Sequence, residues 1–445
     1  MNTPICDFVN SYIQGDPLRL HMPGHKGAPL LGMEKYDITE IPGADSLYEA
    51  EGIIAESESN ASSLFGCNTL YSTEGSSQCI KAMLHLAMLH AGAKGQKPLI
   101  LAGRNAHKAF LSGAALLGLE VMWLYPKEGD SYLSCNITGE ELEEILRGME
   151  QKPTALYVTS PDYLGNTGDI AALSKVCRKH DMLLLADNAH GAYLRFLRES
   201  RFPIDLGADM CCSSAHKTLP VLTGGAYQHI SDSVPADITL QAKNSLSLFG
   251  STSPSYLILQ SLDRANLYLE GYGEKLGCFV LRVNELKAKL MESCLELYGD
   301  EPLKITVKTK PMGYHGTELA QMLGARGIIC EFADPDYIVF MLSPETGEEG
   351  LSRLEAALLS IRHKRIVLPP PPAFAKGETV LSIREAALAP METLPVKDSI
   401  GRVLGAASVG CPPAVPILVC GERIDEHAVQ CFEYYGIKHC GVVKE

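Results

Sequence analysis

Residues 154–191, TALYVTSPDYLGNTGDIAALSKVCRKHDMLLLADNAHG, decide the reading of the fold. A continuous apolar run (154–159) passes through a loop containing Pro161 and Gly165 into a stretch of helical period (170–180). A second apolar run (182–186) then stops at Asp187. Apolar runs this short, without polar alternation, are expected as strands buried on both faces. Alternation with helices implies a mainly parallel sheet, with ligands bound outside the carboxyl ends of its strands. The same cycle stands upstream in 98–102, 107–118 and 120–124, so function is expected in the loops that follow strands between residues 60 and 230.

Further out, 254–293 reads as two long helices broken near Gly271-Tyr272-Gly273. A strand (303–308), a helix (316–326), strands (328–332 and 337–342) and a helix (347–362) follow, as expected of a smaller α/β domain. The prolines 369–372 form a stiff, extended run that sets off a last segment. The expected division is an N-terminal arm (1–50), a large domain (51–295), a small α/β domain (296–368) and a C-terminal segment (369–445). No internal repeat is found.

The 445 residues are 46% apolar and 21% charged, enough for two or three domains, and 40 Gly with 26 Pro exclude collagenous and largely disordered readings. A formal net charge of −14 opposes non-specific binding to phosphate backbones and favours small cationic ligands. The N-terminus shows no basic stretch followed by an apolar run, and no apolar stretch of membrane-spanning length occurs, so a cytoplasmic location without membrane or nucleic-acid partners is expected. The 14 cysteines include no CxxC pair, and the spacing of Cys411, Cys420, Cys431 and Cys440 does not match structural zinc, so no metal is expected and the thiols read as reduced and mostly buried.

Three clusters close strands of the sheet. Ser72-Thr73-Glu74-Gly75-Ser76-Ser77 precedes a helix with Ile80, Met83, Leu84 and Ala87 on one face. Free N–H groups and hydroxyls converge there as an anion cup, unless the serines are ordinary helix caps. Asp187 ends an apolar strand, either as a structural cap or as a carboxylate awaiting a cationic partner. Lys217, in Ser213-Ser214-Ala215-His216-Lys217-Thr218, is either a surface residue or an amine able to form a Schiff base. Together they supply what pyridoxal 5'-phosphate needs: a phosphate anchor, a partner for the pyridine nitrogen and a lysine for the aldehyde.

At this point the sequence resembles the Orn/Lys/Arg decarboxylases, enzymes of the aminotransferase-like fold type I. The resemblance is carried by Leu20-His21-Met22-Pro23-Gly24-His25-Lys26-Gly27, Asp37-Ile38-Thr39-Glu40-Ile41-Pro42, Gly75-Ser76-Ser77 and Arg104-Asn105-Ala106-His107-Lys108. It continues in Asp187-Asn188-Ala189-His190-Gly191, Ser214-Ala215-His216-Lys217-Thr218 and Ser251-Thr252-Ser253-Pro254-Ser255-Tyr256. It implies Lys217 as the Schiff-base lysine and Asp187 as the partner of the pyridine nitrogen. His107 is implied to stack on the cofactor ring, and Gly75, Ser76, Ser77, Ser214 and His216 to surround its phosphate. His190 is implied near the ring's phenolic oxygen or the substrate. Thr252 and Ser253, before Pro254 at an expected helix start, are implied to reach the phosphate of a second subunit, hence a homodimer with its active site at the interface. On their own, His107 could instead cap its helix, His21 and His25 could fix the N-terminal arm, and Cys79 reads as core.

The implied activity is decarboxylation of lysine, ornithine or arginine to the amine, as in polyamine biosynthesis, by a short form without the N-terminal wing domain of larger members. Asp162, Asn188, Ala215 and Ala414 depart from the family's usual Thr, Glu, Thr and Gly. Glu40, Asp45, Glu74 and Asp162 are candidate partners for a cationic substrate side chain. The alternatives are another reaction on the same cofactor, transamination or a lyase step, and a non-catalytic cofactor-binding protein. The strand 337–342 (YIVFML) carries no arginine for an α-carboxylate, which leans against transamination.

Overall fold

The computed structural model describes residues 1–374, 376–406 and 413–444. Cys411, named above for the cysteine spacing, lies outside the described residues. In chain order the first strands are β1 (Asn68–Ser72), β2 (Leu99–Gly103), β3 (Glu120–Leu124), β4 (Ala155–Thr159), β5 (Leu183–Asp187), β6 (Met210–Ser213) and β7 (Ala226–Ile230). They are followed by β8 (Glu296–Tyr298), β9 (Lys304–Lys308), β10 (Phe332–Ala333), β11 (Tyr337–Met341), β12 (Met391–Pro395) and β13 (His439–Val443). The chain divides into two compact units, Met1–Lys97 with Ile170–Lys275 and Pro98–Asp169 with Leu276–Glu445.

In the first unit the strand order is β1-β7-β6-β5. β5 and β6 run parallel with Asp187 opposite Cys212, whereas β7 is antiparallel to both β6 and β1. Every residue of β5, β6 and β7 is buried, which explains why these runs lack polar alternation. Because β5 and β6 are parallel and in this register, Asp187 and the turn after Ser213 emerge at the same edge. The helix Ser76–Ala93 packs on these strands through Cys79, Ile80, Met83, Leu84 and Ala87, all buried.

In the second unit β2 lies between β4 and β3, parallel to both, with Ala102 opposite Tyr157 and Trp123. A four-stranded antiparallel sheet (β10-β11-β9-β8) and the β12-β13 pair complete it. Within this unit Val415, Ile417, Leu418, Ile424, Phe432 and Val442 share one core with Tyr132, Leu133 and Phe332.

Two expectations are corrected. The strand expected at 328–332 is reduced to Phe332–Ala333: the chain leaves the preceding helix through Gly327 at φ +72°, Ile329 is exposed, and pairing with β11 begins only at Glu331. The helix expected to start at Pro254 starts at Tyr256, with Ser255 extended as its cap. The hydroxyl of Ser251 accepts from the N–H of Ser253 in a local turn, which competes with helix entry at that point.

Candidate active site

The site is built on the first unit. β1 ends at Ser72, whose buried hydroxyl donates to Gln78 Oε1 (2.5 Å) and accepts from the N–H of Glu74 (3.1 Å). Gly75 follows at φ 69°, ψ −179°, a conformation open in practice only to glycine, and its N–H donates to the carbonyl of Gly224 (2.7 Å). The first N–H groups of the 18-residue helix Ser76–Ala93 have no partners within that helix, and no side chain caps it. A Cβ placed on Gly75 would meet no atom within 4 Å, so the space before this helix end is open. Ser77 lies in the first turn, and the Ser76 hydroxyl accepts from that of Ser214 (2.9 Å).

Asp187, 2% exposed, accepts at Oδ1 from the N–H of Ala189 (3.1 Å) and from the Cys212 thiol (3.6 Å). The carbonyl of Ala189 accepts from the N–H of Ser214 (3.2 Å), so one residue ties the carboxylate loop to the lysine loop. Within the turn Ala215–Thr218 the N–H of Lys217 donates to the carbonyl of Ser214 (3.0 Å), and Lys217 Nζ stands 2.8 Å from His190 Nε2. His216 Nδ1 is 3.0 Å from the carbonyl of Gly225, so this nitrogen carries the hydrogen, and burial pushes the imidazole pKa down.

The structure therefore gathers Ser76, Ser214, Lys217 and His190 by direct contact, with Gly75, Ser77, Asp187 and His216 on the adjoining turns. Thr252 and Ser253 are exposed on the single chain. His107 belongs to the second unit, where it caps the helix Lys108–Leu117 by accepting at Nδ1 from the N–H of Ala109 (3.1 Å). His25 pairs with Asp37 (3.2 Å) and His21 with Tyr12 (2.6 Å), as expected of residues that fix an arm. Cys79 is core, its thiol pushed up to about 12 by burial.

Two of the acids considered for a substrate side chain are engaged within the fold. Asp45 accepts from the backbone N–H groups of Ser46, Glu51, Gly52, Ile54 and Ala55 at the start of the helix Ile53–Phe65. Asp162 is buried, accepting from Ser134 Oγ (2.6 Å), Asn166 Nδ2 (2.7 Å) and the N–H groups of Leu164 and Asn166 (both 2.9 Å). Glu40 and Glu74 are exposed. Asn188 Nδ2 donates to Ser213 Oγ (3.0 Å) and Ala215 is fully buried.

Two side-chain pairings were missed, one in each unit. Cys212 donates to Asp187, and its signal is its position one residue before Ser213 on an adjacent strand. Arg104 is buried against Glu422, a pairing with no local signal across so long a separation in sequence.

An open helix start lined by serines, an amine beside an imidazole and a buried carboxylate thus stand at strand ends of an α/β fold, and comparison of folds identifies that fold as type I of the pyridoxal phosphate enzymes. Lysine decarboxylase A from Pseudomonas aeruginosa superposes with a TM-score of 0.81 at 17% identity, covering 99% of this chain and 80% of that one. The E. coli constitutive lysine decarboxylase gives 0.77 at 17% identity, over 100% of this chain and 82% of that one. The sequence matches the family model described as Orn/Lys/Arg decarboxylase, major domain, over residues 3–293. The chain belongs to that family. Relatives include the uncharacterized protein YaaO of Bacillus subtilis (strain 168), 30% identical over 97% of this chain and 93% of that protein, and the arginine decarboxylase of the same organism, 26% identical over 96% and 92%.

Proposed function

We propose that the chain decarboxylates a basic amino acid, lysine, ornithine or arginine, with pyridoxal 5'-phosphate as cofactor. The observation that carries this reading is the Lys217 Nζ–His190 Nε2 contact of 2.8 Å on the same turn as the Ser214–Ser76 hydroxyl pair. It is supported by family membership and by relatives named as arginine and lysine decarboxylases.

The residues fit the cofactor: the open space before Gly75 and the helix start would take a phosphate, and Ser76, Ser77, Ser214 and His216 would surround it. When bound, the cofactor supplies a covalent hold on the substrate amino group and a sink for the electron pair left as carbon dioxide departs. Lys217 is the amine that would carry the cofactor, and Asp187 would hold a proton on its pyridine nitrogen, since a carboxylate beside that nitrogen favours the charged form. The Nζ–Nε2 pair holds a proton that can be delivered to the substrate α-carbon. His107 would lie on the ring.

We further propose a cytoplasmic homodimer, acting in polyamine biosynthesis, with Thr252 and Ser253 reaching the phosphate of the partner subunit. The support for the dimer is the apolar exposure of the N-terminal arm, where Leu18, Leu20, Leu30 and Leu31 are each at least 80% exposed. The thirteen described cysteines carry free thiols, as suits a reducing compartment. On this proposal the arm is 1–50, the cofactor-binding part 51–295, the small domain 296–368 and the C-terminal segment 369–445.

The test is release of labelled carbon dioxide from carboxyl-labelled lysine, ornithine and arginine by purified, cofactor-loaded protein. Release from at least one substrate, lost in Lys217→Ala, is expected. A keto acid formed without carbon dioxide, or no turnover of any of the three, contradicts the proposal.

A further inference from the structure

The loop that carries His107 is held from the C-terminal segment, entirely within the second unit. On one side of His107, the N–H of Lys108 donates to the carbonyl of Ala414 (2.9 Å). On the other, Arg104 is 1% exposed and its guanidinium donates to the carbonyls of Pro416 (3.0 Å) and Ile417 (3.1 Å) and to Glu422 Oε2 (3.1 Å). The same Glu422 oxygen accepts from the N–H of Val419 (2.7 Å), closing the 416–422 turn on the arginine. The rings of Trp123 and Phe374 stand 5.5 and 5.4 Å from the guanidinium carbon.

An ion pair this deep is weak evidence for stability, because apolar residues of similar size often serve as well. What the fork of an arginine adds is direction: one planar group fixes three acceptors in a set geometry. The imidazole between the two anchors is itself oriented, since accepting from the N–H of Ala109 leaves its hydrogen on Nε2.

We infer that residues 413–422 brace the His107 loop, and that Arg104 and Glu422 are positioning residues that act on the cofactor ring through His107. This rests on the proposed function, in which His107 lies on that ring.

The test is a double-mutant cycle on loaded protein with Glu422→Gln, His107→Ala and the pair, reading kcat, KM and the visible circular dichroism of the bound cofactor. A displacement of about 1 Å can cost on the order of 100-fold in rate. We therefore expect Glu422→Gln to lower kcat by roughly tenfold or more, with KM nearly unchanged, and to alter the dichroism as His107→Ala does. In the His107→Ala background Glu422→Gln should then change neither. Equal effects of Glu422→Gln in both backgrounds, or an unaltered dichroism, overturn the inference. Should Glu422→Gln fail to fold, Arg104→Lys is read by the same cycle against the same outcomes. A parent protein that takes up no cofactor refutes the proposed function; a parent that loads normally, with additive variants, refutes the brace alone.

Discussion

Gly75→Ala separates the backbone demand of the anion cup from its use. At φ 69°, ψ −179° an alanine costs about 1–3 kcal/mol of conformational strain. Its Cβ meets no atom within 4 Å, so no packing clash is added and the cost to the unloaded protein is conformational alone. On the proposed function the methyl would instead stand in the space proposed for the cofactor phosphate, and its second effect appears only when cofactor is present. Gly271→Ala is the control: this residue has φ +79°, no neighbour within 4 Å, and follows the C-terminal end of the helix Tyr256–Leu269. Its alanine costs about 1–2 kcal/mol. Urea unfolding of the unloaded proteins should show comparable losses for both variants, with unchanged denaturant slopes. Spectrophotometric titration with pyridoxal phosphate should show affinity reduced at least about tenfold, some 1.4 kcal/mol, for Gly75→Ala only. Unchanged cofactor affinity in Gly75→Ala, or an equal loss in Gly271→Ala, would refute the reasoning.

Three further outcomes are expected. Ala414 sits at φ +60°, where an L-residue is strained by about 1–2 kcal/mol, while glycine gives back about 0.5–1 kcal/mol through the unfolded chain. Ala414→Gly relieves that strain but also gives up a buried methyl worth about 0.8 kcal/mol, so urea unfolding should show a change within about 1 kcal/mol of the parent, and a loss above about 2 kcal/mol contradicts this. Asp162→Ala strands the four donors held by a buried carboxylate and should destabilise by about 3 kcal/mol or more; a change in melting temperature within error would show the clamp to be idle. Burial pushes the Asp334 carboxyl up to about 7, so between roughly pH 4 and 7 the folded chain holds a proton that the unfolded chain has released. Stability then falls as pH rises through that window, by up to about 1.4 kcal/mol per unit. Asp334→Asn, which keeps the acceptor for the N–H groups of Asp336 and Tyr337, should flatten the slope of unfolding midpoint against pH; an unchanged slope speaks against the assignment.

The legible parts of the fold are those where one physical demand acts alone. β2, β4 and β5 are short apolar runs because both of their faces are buried, and their ends fall within a residue or two of the expected places. Gly75 is legible because few other residues tolerate its backbone, and Lys217 because a lysine closing a buried strand asks for a reason. The 328–332 run was misread because Ile328 and Ile329 look like a strand while sitting on an open edge after Gly327.

Acids were the least legible. Asp45 and Asp162 are indistinguishable in sequence from carboxylates that face a ligand, yet backbone N–H groups occupy them. The Arg104–Glu422 pair depends on a contact between distant parts of the chain that no local pattern encodes. The proposed roles of Thr252 and Ser253 depend on a second chain.

The most direct test of the central claim is borohydride reduction of the cofactor-loaded protein, followed by mass-spectrometric mapping of the pyridoxyl group. The account predicts one modified residue, Lys217, on the peptide that contains Ser214 and His216, lost in Lys217→Ala. A pyridoxyl group on another lysine, or on none in protein shown to be loaded, would contradict it.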